Sequence, residues 1–206
     1  MKKIKVLIAD DHAIVRMGLA SILGTKKDIE VIGDAEDGAD AVRKAQRLAP
    51  DVVLMDIVMP ELDGAAATAE IRRLLPNSKV LILTSFGEAD GIAHALDAGA
   101  AGALMKNIDY FELVEAIRSV AEGRVVIAPE IKKMLRESPP IPELTDRQQE
   151  ILLSMSRGLT DADIATQLHL TPNSVREHIT TIFNKLGAAN KTEAVAIALR
   201  KHLLKI

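Results

Sequence analysis

Four short clusters carry the residue types of phosphoryl chemistry: Asp10-Asp11, Asp56, Thr84-Ser85 and Lys106, spread over 96 positions. Three carboxylates brought together repel one another and need a cation. A hard divalent ion with oxygen ligands, Mg²⁺ foremost, meets that need. A lysine ammonium and a hydroxyl opposite a metal-bound carboxylate can clamp the oxygens of a transferred phosphoryl group. The central carboxylate is then a nucleophile that forms an aspartyl phosphate. That modification adds about 1.5 to 2 negative charges and three acceptor oxygens beside Thr84 and Lys106. Singly, each residue has a plainer explanation: Asp10-Asp11 and Thr84 as caps, Asp56 as a turn residue, Lys106 as a solvated cation. The chemistry requires all four clusters to meet in space.

The elements between them can arrange that meeting. Aliphatic runs at Ile4–Ala9, Val31–Gly33, Val52–Met55, Val80–Leu83 and Gly102–Met105 read as strands. Helical periods fill the intervals at Ala13–Leu23, Ala39–Leu48, Gly64–Leu74 and Ala89–Ala98, with another at Asp109–Ala121. Runs this apolar suit strands covered on both faces, hence parallel strands. Five strand–helix repeats predict an α/β domain with a doubly wound five-stranded parallel sheet. Ligands of such sheets sit beyond the carboxyl ends of the strands, where strand order reverses. Each of the four clusters directly follows a predicted strand.

The chain has 206 residues, 48% of them hydrophobic, which excludes global disorder and suits one large or two small domains. Aromatics make up only 2%, so the core is aliphatic, and the absence of cysteine excludes disulfides, thiol catalysis and Cys-ligated metal. No uncharged apolar run approaches the roughly 18–20 residues of a membrane helix. The start, Met1 to Lys5, has the charge of a signal-peptide n-region, but Val6–Ala9 is too short and Asp10-Asp11 follows it. We therefore expect a cytoplasmic protein with no membrane partner. Net charge is −3 overall, yet unevenly placed: residues 1–140 carry 18 Lys and Arg against 22 Asp and Glu, residues 141–206 carry 8 against 7. The change coincides with Ser138-Pro139-Pro140-Ile141-Pro142, whose prolines forbid helix and favour an extended linker. The expected division is 1–124, then a linker over 125–142 containing a short helix at Pro129–Arg136, then 143–206.

The segments Leu7-Ile8-Ala9-Asp10-Asp11-His12, Leu54-Met55-Asp56-Ile57-Val58-Met59-Pro60-Glu61-Leu62-Asp63-Gly64, Leu83-Thr84-Ser85 and Leu104-Met105-Lys106 resemble the flavodoxin-like receiver domain of two-component response regulators. The resemblance covers about residues 3–124. It implies that Asp56 accepts phosphate from a sensor histidine kinase, with Mg²⁺ held by Asp11, Asp56 and the Val58 carbonyl. Asp10 would act on the metal mainly through water, and Thr84, Ser85 and Lys106 would handle the phosphoryl oxygens. Gly64 fits a tight turn into the third helix. Two features depart from the pattern or colour it. Ala103 stands where the family often carries an aromatic switch, and a methyl cannot report phosphorylation by swinging. Val58 and Phe86 flank the site with apolar side chains that would hinder an attacking water, so a long-lived phosphoryl group is expected.

The C-terminal part shows no strand signal. Thr145-Asp-Arg-Gln148 reads as a capping box opening a helix through Ser156, ended at Gly158. Thr160 caps a second helix to about Leu168, Thr171-Pro172 opens a third to Leu186-Gly187, and a fourth spans about Thr192–Leu203. The turn His169-Leu170-Thr171 has helix-turn-helix spacing. Together with Gly158-Leu159-Thr160, Ile164-Ala165, Ser174-Val175-Arg176-Glu177-His178 and Ile182-Phe183-Asn184-Lys185-Leu186-Gly187, it resembles the small all-α LuxR-type helix-turn-helix domain of NarL/FixJ regulators. The resemblance makes Thr171–Leu186 the recognition helix on double-stranded DNA. Its outer face is expected to carry Arg176, Glu177 and Thr180, with Asn173, His178, Thr181 and Lys185 nearby. Arg can grip guanine or phosphate, and Glu can accept from cytosine N4. Val175, Ile179, Ile182 and Leu186 form the inner face by their spacing. Where family members often carry a basic residue, this chain has Asp161-Ala162-Asp163. A module of charge near +1 attracts phosphate weakly, so pairing of two modules on one duplex matters. Ala194, Ile197 and Ala198 offer a small-residue face for a homodimer, with packing onto the module's own core as the alternative.

The expected function is a transcription regulator, not an enzyme, switched by phosphorylation towards dimerisation and sequence-specific DNA binding. RNA polymerase is a further partner that the family implies. An enzyme using Asp56 as nucleophile would need a second acid two residues later, where Val58 stands. A pseudo-receiver controlled without phosphorylation is the other alternative, with Ala103 in its favour and the four intact clusters against it.

Overall fold

The computed structural model describes residues 3–85, 89–137, 144–200 and 203–204. The chain divides into two compact units, Met1–Pro140 and Ile141–Ile206.

The first unit runs β1 (Ile4–Ala9), α1 (Ala13–Gly24), β2 (Ile29–Ala35), α2 (Gly38–Leu48), β3 (Val52–Asp56), α3 (Gly64–Leu74), β4 (Lys79–Thr84), α4 (Ala89–Asp97), β5 (Gly102–Met105), α5 (Tyr110–Ala121), β6 (Val126–Ile127) and α6 (Pro129–Glu137). Every strand pair is parallel, in the order β2-β1-β3-β4-β5-β6. The chain first crosses from β1 to β2, then returns to lay β3 on the other side of β1. Strand order therefore reverses at β1 and β3, and a crevice opens at their carboxyl ends. The two-residue period of the strands splits the interior into two layers. Val6, Ile8, Leu54, Leu81 and Leu83 pack with Leu23, Leu113 and Ile117 on one face. Leu7, Val53, Met55, Val80 and Ile82 pack with Ala41, Ala67, Ile71 and Ile92 on the other.

Two differences from the sequence reading have clear causes. Strand β2 spans seven residues, Ile29–Ala35, because edge pairing with β1 accommodates Glu30 and Asp34, which interrupt the apolar run. The sheet has six strands, not five. Val126 and Ile127 pair with Gly102 and Ala103, a segment too short to show a period. The approach is close: a Cβ at Gly102 would lie 2.2 Å from the Val126 carbonyl oxygen. Ile131 of α6 is fully buried in the layer that contains Ala103 and Met105. Residues 125–137, expected as linker with a short helix, thus pack onto the first unit, and Ser138–Pro142 lie outside the described residues.

The second unit comprises α7 (Asp146–Ser156), α8 (Asp161–Gln167), α9 (Pro172–Leu186) and α10 (Lys191–Arg200). Its helices start where their caps dictate. Thr145 with Gln148 and Thr160 with Asp163 close capping boxes, and the Thr171 hydroxyl accepts from Ser174 N–H ahead of Pro172. Gly187, at φ 67°, ends α9 in the left-handed region that favours glycine. Ile151, Leu152, Ile164, Val175, Ile179 and Ile182 form the core. No helix among the described residues is long and apolar enough to cross a membrane.

Candidate functional site

The carboxyl ends of β1, β3, β4 and β5 lie along one edge of the sheet. Asp56 is the last residue of β3 and Thr84 the last of β4, while Asp10 and Lys106 stand one residue beyond β1 and β5. Main-chain bonds fix these ends: Lys106 N–H donates to the Thr84 carbonyl at 2.7 Å, and Asp10 N–H to that of Ala35 at 3.1 Å. The Lys106 ammonium lies 2.8 Å from Asp10 Oδ2 and 2.7 Å from Asp56 Oδ2. Both carboxylates are almost fully buried, 2% and 3% exposed. Their second oxygens accept from the main chain: Asp10 Oδ1 from His12 N–H and Asp56 Oδ1 from Ile57 N–H, each at 2.8 Å. Burial alone would lower the pKa of Lys106, but the hydrogen bonds it donates to Asp10 and Asp56, and their charge, outweigh it and hold it above the ordinary lysine value.

Asp11, more exposed, approaches from the β1–α1 turn. One ligand atom each from Asp10, Asp11, His12 and Asp56 lie within 4.8 Å of one another. Three carboxylates against one ammonium leave a local excess of two negative charges. An oxygen-rich donor set with that excess fits a hard divalent cation such as Mg²⁺. His12 carries no signal in the sequence beyond its place in the motif, yet its Nδ1 lies 2.6 Å from Asp11 Oδ1 and 3.4 Å from Asp10 Oδ1. His12, not Asp10 or Asp11, holds the cap position of α1. Arg16 Nη1 donates to the Asp10 carbonyl at 2.7 Å while its Nε pairs with Asp34 at 2.9 Å, steadying the turn.

The turn after β3 closes against the site. Gly64 N–H donates to the Ile57 carbonyl at 2.9 Å, and a Cβ at Gly64 would lie 1.9 Å from the Asp56 carbonyl oxygen. Only glycine permits that approach, which pins α3 beside the acidic residue. Val58 is exposed, and because its side chain carries no donor atom its backbone carbonyl is the only group it can offer a cation. Thr84 is buried, with its hydroxyl donating to the Ser85 carbonyl at 3.3 Å, and Ser85 is exposed. Ala103 is fully buried between Ile82 and Ile127. Phe86, expected to flank the site, lies outside the described residues.

In the second unit, α8 and α9 form the helix pair with the short turn. Val175, Ile179, Ile182 and Leu186 are buried, while Asn173, Arg176, Glu177, Thr180 and Thr181 are exposed on α9. Lys185 is half-buried, and its ammonium donates to Gln148 Oε1 at 2.9 Å, tying α9 to the cap of α7. His178 is likewise half-buried. Ala194 and Ala198 are fully buried in the core of their own unit and Ile197 packs against it, the alternative that the sequence leaves open beside a dimer face. Small residues at helical spacing serve close packing inward as readily as outward, and here they let α10 settle on the core.

The fold thus sets a buried acid–lysine–acid cluster at the switch point of a parallel sheet, and separately a helix pair with an exposed polar face. Residues 6–118 match the response regulator receiver domain, and residues 142–198 match the bacterial regulatory proteins of the luxR family. The response regulator protein VraR of Staphylococcus epidermidis is 39% identical over 207 residues, covering 98% of this chain and 99% of VraR. The crystal structure of ChrA, response regulator of a heme-sensing two-component system, aligns at TM-score 0.59 and 36% identity over 99% of this chain and 100% of ChrA. A structure of RcsB dimers bound to DNA shares the fold, at TM-score 0.65 and 23% identity over 97% of this chain and 99% of that one. The chain belongs to the response regulators of the NarL/LuxR type. It is a phosphorylatable transcription regulator, and its family is one of DNA-binding regulators.

Proposed function

We propose that Asp56 accepts a phosphoryl group from a sensor histidine kinase and that the modified receiver promotes pairing of two chains on DNA. The observation that carries this reading is the pair of short contacts from Lys106 to Asp10 and Asp56 at the switch point. The Asp56 carboxylate attacks phosphorus, the P–N bond to the donor imidazole breaks, and that imidazole keeps the electron pair and takes up a proton. Lys106 meets the added charge, and Thr84 and Ser85 supply hydroxyls to the phosphoryl oxygens. Asp10, Asp11, Asp56 and the Val58 carbonyl would hold Mg²⁺, which neutralises charge during transfer. The receiver comprises residues 1–124, with β6 and α6 packed onto it through residue 137, and the DNA-binding domain comprises 143–206.

The Val58 side chain offers no second acid to turn the product over, so the reaction stops at a modified protein that hydrolyses slowly. The added charge shifts the population towards the form that pairs, and a pair gains affinity through effective concentration. Asn173, Arg176, Glu177, Thr180, Thr181 and Lys185 are the DNA-facing set, acting in the cytoplasm, with RNA polymerase a further partner. Incubation with acetyl phosphate and Mg²⁺, read by intact mass, tests this. Wild type is expected to gain one stable phosphoryl adduct and Asp56→Asn none. Continuous phosphate release would make the protein an enzyme, and an unlabelled wild type would make it a pseudo-receiver.

A further inference from the structure

Two helices of the second unit each send one cation to the same carboxylate. Asp161, the first residue of α8, lies 2.6 Å from Lys191 Nζ through Oδ1 and 3.8 Å from Arg176 Nε through Oδ2. This carboxylate is not the helix cap. Thr160 fills that role, with its N–H and hydroxyl both bonded to Asp163 Oδ2, at 3.0 and 2.6 Å. Nor is the triad buried: the Arg176 side chain is 66% exposed, that of Lys191 40% and that of Asp161 32%. Exposed pairs of this kind add little to stability. What they do control is where the two cations point and what charge they present.

We propose that Asp161 sets the sequence specificity of DNA binding, by withholding Arg176 and Lys191 from non-specific phosphates while steadying Arg176 for a base edge. The proposal rests on α9 being the DNA-reading helix. A carboxylate offers a guanidinium or ammonium the same pair of oxygens that a phosphate does. Binding of Arg176 to a phosphate of an unmatched duplex must exchange its Asp161 contact for the phosphate contact, a near-even trade. Arg176 Nη1 makes only a long bond, 3.5 Å to Asn173 Oδ1, which a guanine O6/N7 pair can replace on the Nη1–Nη2 edge while the Nε contact to Asp161 stays. A matched duplex can therefore be read without breaking it. Lys191 stays bound to Asp161 in both cases and neutralises no phosphate.

The test compares full-length wild type and Asp161→Asn, both treated with acetyl phosphate and Mg²⁺, on two duplexes: one recovered from a randomised library with the wild-type protein, and its scrambled counterpart. Fluorescence anisotropy across a salt series reads the affinities. Asp161→Asn should tighten binding to the scrambled duplex by about threefold to tenfold, and steepen its salt slope by roughly 0.9 for each cation released. Affinity for the recovered duplex should change less, so discrimination falls. Lys191→Gln should remove part of the gain when added to Asp161→Asn. Equal tightening on both duplexes, no change, or weakening of both would overturn the proposal. Thermal melting of Asp161→Asn and Asp161→Ala checks that each is folded; if only one folds, its salt slope and discrimination decide. An Arg176→Ala variant that still binds the recovered duplex at wild-type strength would overturn the underlying assignment of α9 instead.

Discussion

The two units build their working surfaces in opposite ways. At the apex of the sheet, charges from positions 10, 56 and 106 are driven together and sealed, with both acids nearly inaccessible and the lysine gripping each within 2.8 Å. On α9 the polar side chains are neighbours in sequence, stand in solvent, and face away from a core their own helix helps to build. A site that stabilises a transferring phosphoryl group gains from low dielectric and fixed donors. A surface that slides over and samples duplexes gains from exposure and exchangeable partners. Burial thus serves chemistry in one unit, and accessibility serves recognition in the other.

The contrast can be broken most severely at the apex. Lys106→Ala should slow phosphoryl uptake from acetyl phosphate by about a hundredfold or more, because it removes a fixed donor from a water-poor site. The same change leaves Asp10 and Asp56 facing each other, so folding should become strongly dependent on Mg²⁺; thermal melting with and without chelator reads this. If melting is equally insensitive to chelator in wild type and variant, the apex is not a cation site. Next in size is Ile182→Ala, which opens the core of the second unit and should cost about 2–5 kcal/mol. A urea titration should show the second unit unfolding early while the first keeps its own transition.

Smaller effects sharpen the comparison. Gly64→Ala pushes a methyl towards the Asp56 carbonyl and should destabilise the first unit by about 1–3 kcal/mol. Chemical denaturation gives the cost, and acetyl phosphate labelling should show uptake falling with it. Arg176→Ala should weaken binding to a matched duplex by about 1–3 kcal/mol while shifting stability by less than about 0.5 kcal/mol, as anisotropy and melting would show. The smallest is a pH effect. The pKa of Lys106 is raised in the folded chain, so its stabilising contribution is complete below the ordinary lysine range and fades as pH climbs through the raised value. The stability difference between wild type and Lys106→Met should accordingly shrink only in strong alkali; a difference that shrinks near neutrality would contradict the assignment.

The reach of the sequence follows the same division. Strands β1, β3, β4 and β5 are near-continuous aliphatic runs, so their ends, and the residues just beyond them, are visible without coordinates. Parallel pairing then obliges those ends to share an edge, which is why Asp10, Asp56 and Lys106 could be grouped across distances that no local pattern spans. The inner and outer faces of α9 are legible from a period of three and four. Contacts without a period are not. Strand β6 has two residues and is recruited by the backbone of Gly102, so it left no trace. The bond from Lys185 to Gln148 joins residues 37 positions apart through side chains with many rotamers. Ala194 and Ala198 show a stripe whose period says nothing of which way it faces, and only the core around it decides.

The strip formed by β6 and α6 has a practical bearing. A fragment cut at residue 124 would strip the last strand from β5, leave its backbone donors and acceptors bare, and open the pocket that Ile131 fills. Raw sheet margins recruit other chains. Anyone preparing the first unit by itself should carry it through residue 137, or expect a protein that sticks to itself for reasons unconnected with signalling.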